Sequence, residues 1–226
     1  MAVLSGGGSL APAYAEVDSS FPLAGVARSP CLAFGPAALL EAVNRLPMSN
    51  PTDSAEPSRL RPRPVERPFH IVLVEPEIPP NTGNVARICA ATRAPLHLVG
   101  KLGFSIDDHA VRRAGLDYWH LVDVRRHETL ALAEQAIVTE RPFGRVPRRY
   151  LFSGHANKSY LDVQFELGDV LVFGKESVGL PQELLQEREA DVIGIPMSGL
   201  VRSHNLANAV AIALYEALRQ VGVLRV

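Results

Sequence analysis

Apolar residues in this chain gather into short runs, and between the runs they recur three or four positions apart. His70-Ile-Val-Leu-Val74, Pro95–Gly100, Trp119–Val124, Arg149–Ser153, Val170–Phe173 and Val192–Ile195 are runs of the first kind. Bounded by turn residues, they read as the buried strands of a parallel sheet. Helices are expected at Asn84–Thr92, at Glu128–Thr139, and over a short stretch from Asp107 or Asp108, as caps, to Gly115. The last helix is led by Ser203, Asn205 and Asn208. It carries Leu206, Val210, Leu214 and Leu218 at helical spacing, a stripe for core or dimer packing that a monomer would leave partly exposed. Strand and helix alternate throughout, which predicts an α/β domain with a mostly parallel sheet and helices on both faces.

The first 68 residues break this pattern. They hold Gly6-Gly7-Gly8, prolines throughout, and a polar proline-rich stretch from Pro47 to Pro68 with Arg59, Arg61, Arg63 and Arg67. Such composition favours a disordered extension over residues 1–68 and one ordered domain over 69–226. Pro36–Leu46 could form one short helix, and Met48 is a candidate alternative start. Ala13–Ala15 has the small residues of a signal cleavage site, but no basic and apolar segment precedes it, so secretion is not expected. Apolar residues make up 47% of the chain, ample for a core. A net charge of −1 gives no global pull toward nucleic acid, so any basic face is local. The two cysteines, Cys31 and Cys89, suit a reducing compartment, and the seven histidines lack the close pairing of zinc sites. With no run long enough for a membrane span, a cytoplasmic protein without metal or membrane anchor is expected.

In an open α/β sheet, ligands sit beyond the carboxyl ends of the strands, and three loops there carry polar residues. In Glu75-Pro-Glu-Ile-Pro-Pro-Asn-Thr-Gly-Asn84 the prolines read as a rigid loop, with Asn81 or Asn84 capping the helix after it. Arg87, three residues past Asn84, can share a face with the loop asparagines or be a solvated helix residue. In Phe173-Gly-Lys-Glu-Ser-Val-Gly-Leu-Pro181, Gly174 lets a ligand lie against the backbone and Glu176 is a lone acid at a strand end. The same residues fit a plain turn, with Pro181 opening the next helix. In the third loop Ser203 and Asn205 fit helix caps, and His204 is either a titrating base or structural. The first strand is not followed by Gly-x-Gly-x-x-Gly, which disfavours a conventional dinucleotide site.

Taken together, Glu75–Asn84, Arg113-Ala-Gly-Leu-Asp-Tyr-Trp119, Phe173–Pro181, and Ile195-Pro-Met197 with Arg202-Ser-His-Asn-Leu-Ala-Asn-Ala-Val210 resemble the motifs of the SPOUT class of RNA methyltransferases. Within it they are most similar to the TrmL (YibK-like) tRNA 2′-O-methyltransferases, in register from about Phe69 to the C-terminus. The resemblance implies a single SPOUT domain with a C-terminal trefoil knot, S-adenosyl-L-methionine bound in the knot loops, and a homodimer that shares its active sites. By position it implies that Phe152, Gly174, Ile195 and Ser203 contact the cofactor, and that Asn81, Arg87, Glu176 and Asn205 surround the transferred methyl group. Three departures stand out. His204 occupies a usually apolar position, Lys175 one where proline is common, and Ser153-Gly-His-Ala156 a segment usually rich in threonine and lysine.

The activity so implied is 2′-O-ribose methylation of tRNA, at the wobble nucleotide of the anticodon. The alternatives are the same reaction elsewhere on tRNA or rRNA, or an RNA-binding module that has lost catalysis, against which the intact Asn81, Arg87 and Asn205 speak. A guanidinium with a pKa above about 12 is a poor base, so Arg87 is expected to stabilise the developing alkoxide and grip a phosphate. The base is left open between Glu176 and water. Arg112, Arg113 and Arg202 are candidate RNA phosphate contacts, whereas Arg125 and Arg126 read as solvated.

Overall fold

The computed structural model describes residues 60, 62, 64–104, 119–141 and 143–225. The extension with Cys31 and its suggested helix at Pro36–Leu46, the short helix expected from Asp107 to Gly115, and Arg112 and Arg113 lie outside the described residues.

Six strands form the sheet: β1 (His70–Val74), β2 (Leu96–Val99), β3 (Val124–His127), β4 (Arg149–Phe152), β5 (Val170–Phe173) and β6 (Val192–Ile193). Their order is β3-β2-β1-β5-β4-β6 and every pairing is parallel. Because successive side chains point to opposite faces, each strand feeds two cores. On one face Ile71, Leu73, Leu96, Leu98, Leu171 and Phe173 pack with α1 (Pro79–Thr92) and α4 (Leu206–Gln220). On the other, Val72, Val99, Leu151, Val170 and Val172 meet Ala133 and Ile137 of α2 (Leu130–Glu140) and Leu185 of α3 (Gln182–Glu187). Immediately upstream of β1, the Pro68 carbonyl accepts from the Gly168 amide at 2.7 Å and the Arg67 amide donates to the Arg93 carbonyl at 3.2 Å.

Four expectations change. The third strand is not Trp119–Val124: residues Trp119–Leu121 form a single helical turn and the strand starts at Val124. Trp119 and Val122 spend their apolar surface on the α1-side core, while the strand itself is the polar edge Val-Arg-Arg-His. Arg125 is consequently not solvated; its guanidinium bonds Asp123 at 2.6 and 2.9 Å and pairs with Glu140. Helix α1 begins at Pro79 rather than Asn84, so the prolines open the helix instead of forbidding it. Proline at the first helical positions brings a suitable φ and lacks only an amide that has no partner there anyway. Asn81 and Asn84 are therefore inside α1, and neither caps it. Finally, Leu206, Val210, Leu214 and Leu218 are all buried within the one chain, against the sheet and α1. The stripe of α4 is core, and gives no reason by itself for a dimer. Among the described residues no helix is long and apolar enough to cross a membrane.

Candidate active site

The loops after β1, β4, β5 and β6 converge at the carboxyl edge of the sheet around a cleft of about 810 Å³, within the size range of small-molecule sites. Its floor is aromatic. Phe152 and Phe173 end the neighbouring strands β4 and β5 in register, and their rings stack with centroids 4.6 Å apart and planes 13° from parallel.

Carboxylates brace the walls. Glu176, in the loop after β5, accepts from the backbone amides of Glu77 at 2.8 Å and Ile78 at 3.3 Å, and from the Asn81 side-chain amide at 2.9 Å. Ile78 is the N-cap residue of α1 and offers no side-chain cap. Glu176 thus supplies, from far along the chain, the acceptor and the negative charge that a helix N-terminus favours. In return the Glu77 carboxylate accepts from the Ser177 amide at 3.0 Å. Lys175 donates to Glu75 at 2.8 Å, and that hydrogen bond holds the ammonium pKa above its usual value. The two loops are stapled together at three consecutive residues.

Asn81 continues the connection. Its side-chain oxygen accepts from Asn205 Nδ2 at 2.9 Å, while Asn205 Oδ1 caps α4 by accepting from Ala207 N at 2.9 Å and Asn208 N at 3.4 Å. Asn205, Asn81 and Glu176 therefore form one hydrogen-bonded run across three loops, and each amide's orientation is dictated by its neighbours. All three line the cleft. Three donors occupy the Glu176 carboxylate, which makes it a brace between loops.

Phe152, Gly174, Ile195 and Ser203 line the same cleft, as does Arg202. The loop itself requires glycine at position 174, whether or not a ligand lies against it. A Cβ there would overlap the Gly179 carbonyl carbon and the Leu180 amide nitrogen, because the loop folds back on itself, with the Gly179 amide bonded to the Lys175 carbonyl at 2.9 Å. Arg87 is exposed on α1 and does not line the cleft. Six residues on a helix turn it about 120° from Asn81, toward the side of the exposed Asn84. Glu75, Glu77 and His155 were not singled out from the sequence. The two acids brace the wall and His155 lines it; the alternate acids just ahead of the prolines were the available signal. Among the described residues no cluster of three or more histidine, cysteine, aspartate or glutamate side chains is placed to hold a metal ion.

Residues 68–215 match the model of the SpoU rRNA Methylase family. The chain is 48% identical over 153 residues to the tRNA (cytidine(34)-2'-O)-methyltransferase of Acidovorax sp. (strain JS42), covering 67% of this chain and 91% of that one. It is 45% identical over 157 residues to the protein of the same name from Saccharophagus degradans, covering 68% and 96%. A solved structure described as "Structural insights into the 2-OH methylation of C/U34 on tRNA" is similar at 46% identity and a TM-score of 0.60, over 67% of this chain and 95% of that one. The SpoU methyltransferase AviRb from Streptomyces viridochromogenes, in complex with the cofactor AdoMet, is similar at 26% identity and a TM-score of 0.59, over 70% and 59%.

Proposed function

The chain belongs to the SpoU rRNA Methylase family, and from that premise we propose that it transfers the methyl group of S-adenosylmethionine to the ribose 2′-hydroxyl of the wobble nucleotide of a tRNA. The observation that carries this reading is that the segment matched by the family model contains every residue lining the cleft. The cleft also fits the cofactor. Its stacked Phe152–Phe173 floor offers a flat apolar surface to adenine, and the rim at Gly174, Ile195 and Ser203 offers backbone groups to the rest.

When bound, the cofactor supplies an electrophilic methyl group on a sulfonium. Asn81 and Asn205, held by Glu176 and by the α4 cap, orient the acceptor ribose without having to find their own geometry. Arg202, exposed at the cleft, takes a phosphate, and the family resemblance adds Arg112 and Arg113 as further phosphate contacts. Arg87 stabilises the charge developing on the attacking oxygen.

Because Arg87 does not line its own chain's cleft, the reading includes a homodimer in which Arg87 reaches the cleft of the partner subunit. The exposed apolar side chains Ile78 and Val178, which line the cleft, and Leu200 and Val201, just before Arg202, support such an interface. The reading also includes a C-terminal trefoil knot. It is supported by the passage of the C-terminal segment along the loop between β4 and β5, where Gln220 accepts from the Phe165 amide at 3.0 Å. The enzyme acts in the cytoplasm, where its substrate is.

The test is to incubate the purified protein with unmodified tRNA and labelled cofactor and to map the methylated ribose. A single 2′-O-methyl group at the first anticodon nucleotide is expected. Methylation only elsewhere on tRNA, or only on rRNA, would reassign the substrate. Absence of both methyl transfer and S-adenosylhomocysteine binding would leave an RNA-binding module.

A further inference from the structure

Methyl transfer to a hydroxyl needs a group to take the proton, and the brace described above disqualifies the obvious acid. The charged or titratable side chains lining the cleft are His155, Lys175, Glu176, Arg202 and His204. Lys175 is an ammonium kept protonated by Glu75, and Arg202 carries a guanidinium that does not deprotonate in proteins. The Glu176 carboxylate already accepts three hydrogen bonds. From the facing loop after β1, Glu75 and Glu77 are spent on Lys175 and the Ser177 amide. Two imidazoles remain. His155 follows Phe152 by three residues in the loop after β4, its amide tied to Ser153 Oγ at 3.1 Å, next to the floor assigned to the cofactor. His204 directly precedes Asn205, the residue that caps α4 and donates to Asn81. Its ring is exposed in the cleft, and among the described residues no hydrogen bond or ion pair holds it.

Resting on the function proposed above, we propose that His204 is the base that accepts the ribose 2′-hydroxyl proton during methyl transfer. As the O–H bond breaks, the proton passes to the imidazole. The oxygen forms its bond to the methyl carbon, and the sulfur–carbon bond breaks with its electron pair left on sulfur, so the sulfonium becomes a neutral thioether. Histidine is the side chain suited to exchange a proton near neutral pH.

The test measures single-turnover methylation at saturating tRNA and cofactor across a range of pH, with S-adenosylhomocysteine affinity by calorimetry alongside. The parent rate is expected to fall on the acid side through one ionisation. His204→Gln keeps a polar side chain but no proton acceptor of comparable strength; it should lose on the order of a hundredfold in rate and lose that acid limb, with S-adenosylhomocysteine affinity unchanged. In His204→Ala, added imidazole should restore turnover in proportion to its neutral form. A parental rate in His204→Gln, survival of its acid limb, or loss of cofactor affinity in both variants overturns the assignment. A parent protein that methylates no RNA defeats instead the functional reading on which the assignment rests.

Discussion

At the scale of single residues, Gly174 shows how the fold by itself can demand a glycine where ligand approach was the expected reason. The overlap of a Cβ with the Gly179–Leu180 backbone means that any side chain must push the loop after β5 apart. That same loop braces the N-terminus of α1 through Glu176. Gly174→Ala should therefore lower stability without ligand by about 1–3 kcal/mol and weaken cofactor binding at the same time. Thermal unfolding and calorimetry on one preparation check this; lost binding with an unchanged melting temperature would restore ligand approach as the reason for the glycine. That Asn81, Glu176 and Asn205 stand beyond the carboxyl ends of the strands was legible in the sequence, and so was Asn205 as a cap, since a cap serves the helix that follows it at once. The capping of α1 by Glu176 was not legible, because donor and acceptor are brought together only by the parallel pairing of β1 with β5.

At the scale of elements, the sheet contains a feature that no local pattern announces. His70, His97 and His127 lie on the adjacent strands β1, β2 and β3, with His70 Nδ1 3.1 Å from His97 Nε2 and His97 Nδ1 3.0 Å from His127 Nε2. The His97 and His127 rings stack with centroids 5.2 Å apart. Each N···N contact has room for one proton, so at most one of the three rings can be charged while both contacts survive. Burial, reinforced by Arg125, lowers the pKa of His70 to about 4; burial, with His70 and Arg125 adding to it, lowers that of His97 to about 2. These folded values lie below the unfolded value of 6.5, so the unfolded chain binds more protons in acid. The stability held by the neutral row is fully present above about pH 6.5 and is lost as the pH falls toward about 4. Each of the two buried histidines should add a slope approaching about 1.4 kcal/mol per pH unit in that window. Urea unfolding at several pH values checks this, and His97→Leu should flatten the dependence; a parent stability independent of pH between those limits would contradict a neutral row. Element type was readable here because buried central strands are dense in apolar residues. It failed at β3, where an edge strand has one neighbour and needs few of them, and at the start of α1, where two prolines suggested a break.

At the scale of the whole molecule, alternating strands and helices made the α/β class legible, but not the order β3-β2-β1-β5-β4-β6, which depends on pairings between distant segments. The same limit applies to assembly. The apolar stripe of α4, which suggested an interface, is filled by this chain's own sheet and α1. The argument for two copies now rests on the exposed apolar side chains at and beside the cleft and on Arg87, on the helix that carries Asn81 yet outside the cleft that Asn81 lines. If Arg87 serves the partner's cleft, two defects in different chains should complement. Arg87→Ala should then cost on the order of a hundredfold in turnover. Asn205→Ser keeps an N-cap oxygen for α4 but removes the amide donor to Asn81. Mixed in equal amounts and allowed to exchange subunits, the two variants form heterodimers in which one site carries both defects and the other carries neither. Random pairing then leaves roughly a quarter of all sites intact, so the mixture should regain about that share of parental methylation although each variant alone is nearly inactive. Light scattering on the same samples should give the mass of a dimer. If Arg87 acts within its own chain, every site in the mixture keeps a defect, and the mixed sample stays as inactive as its components.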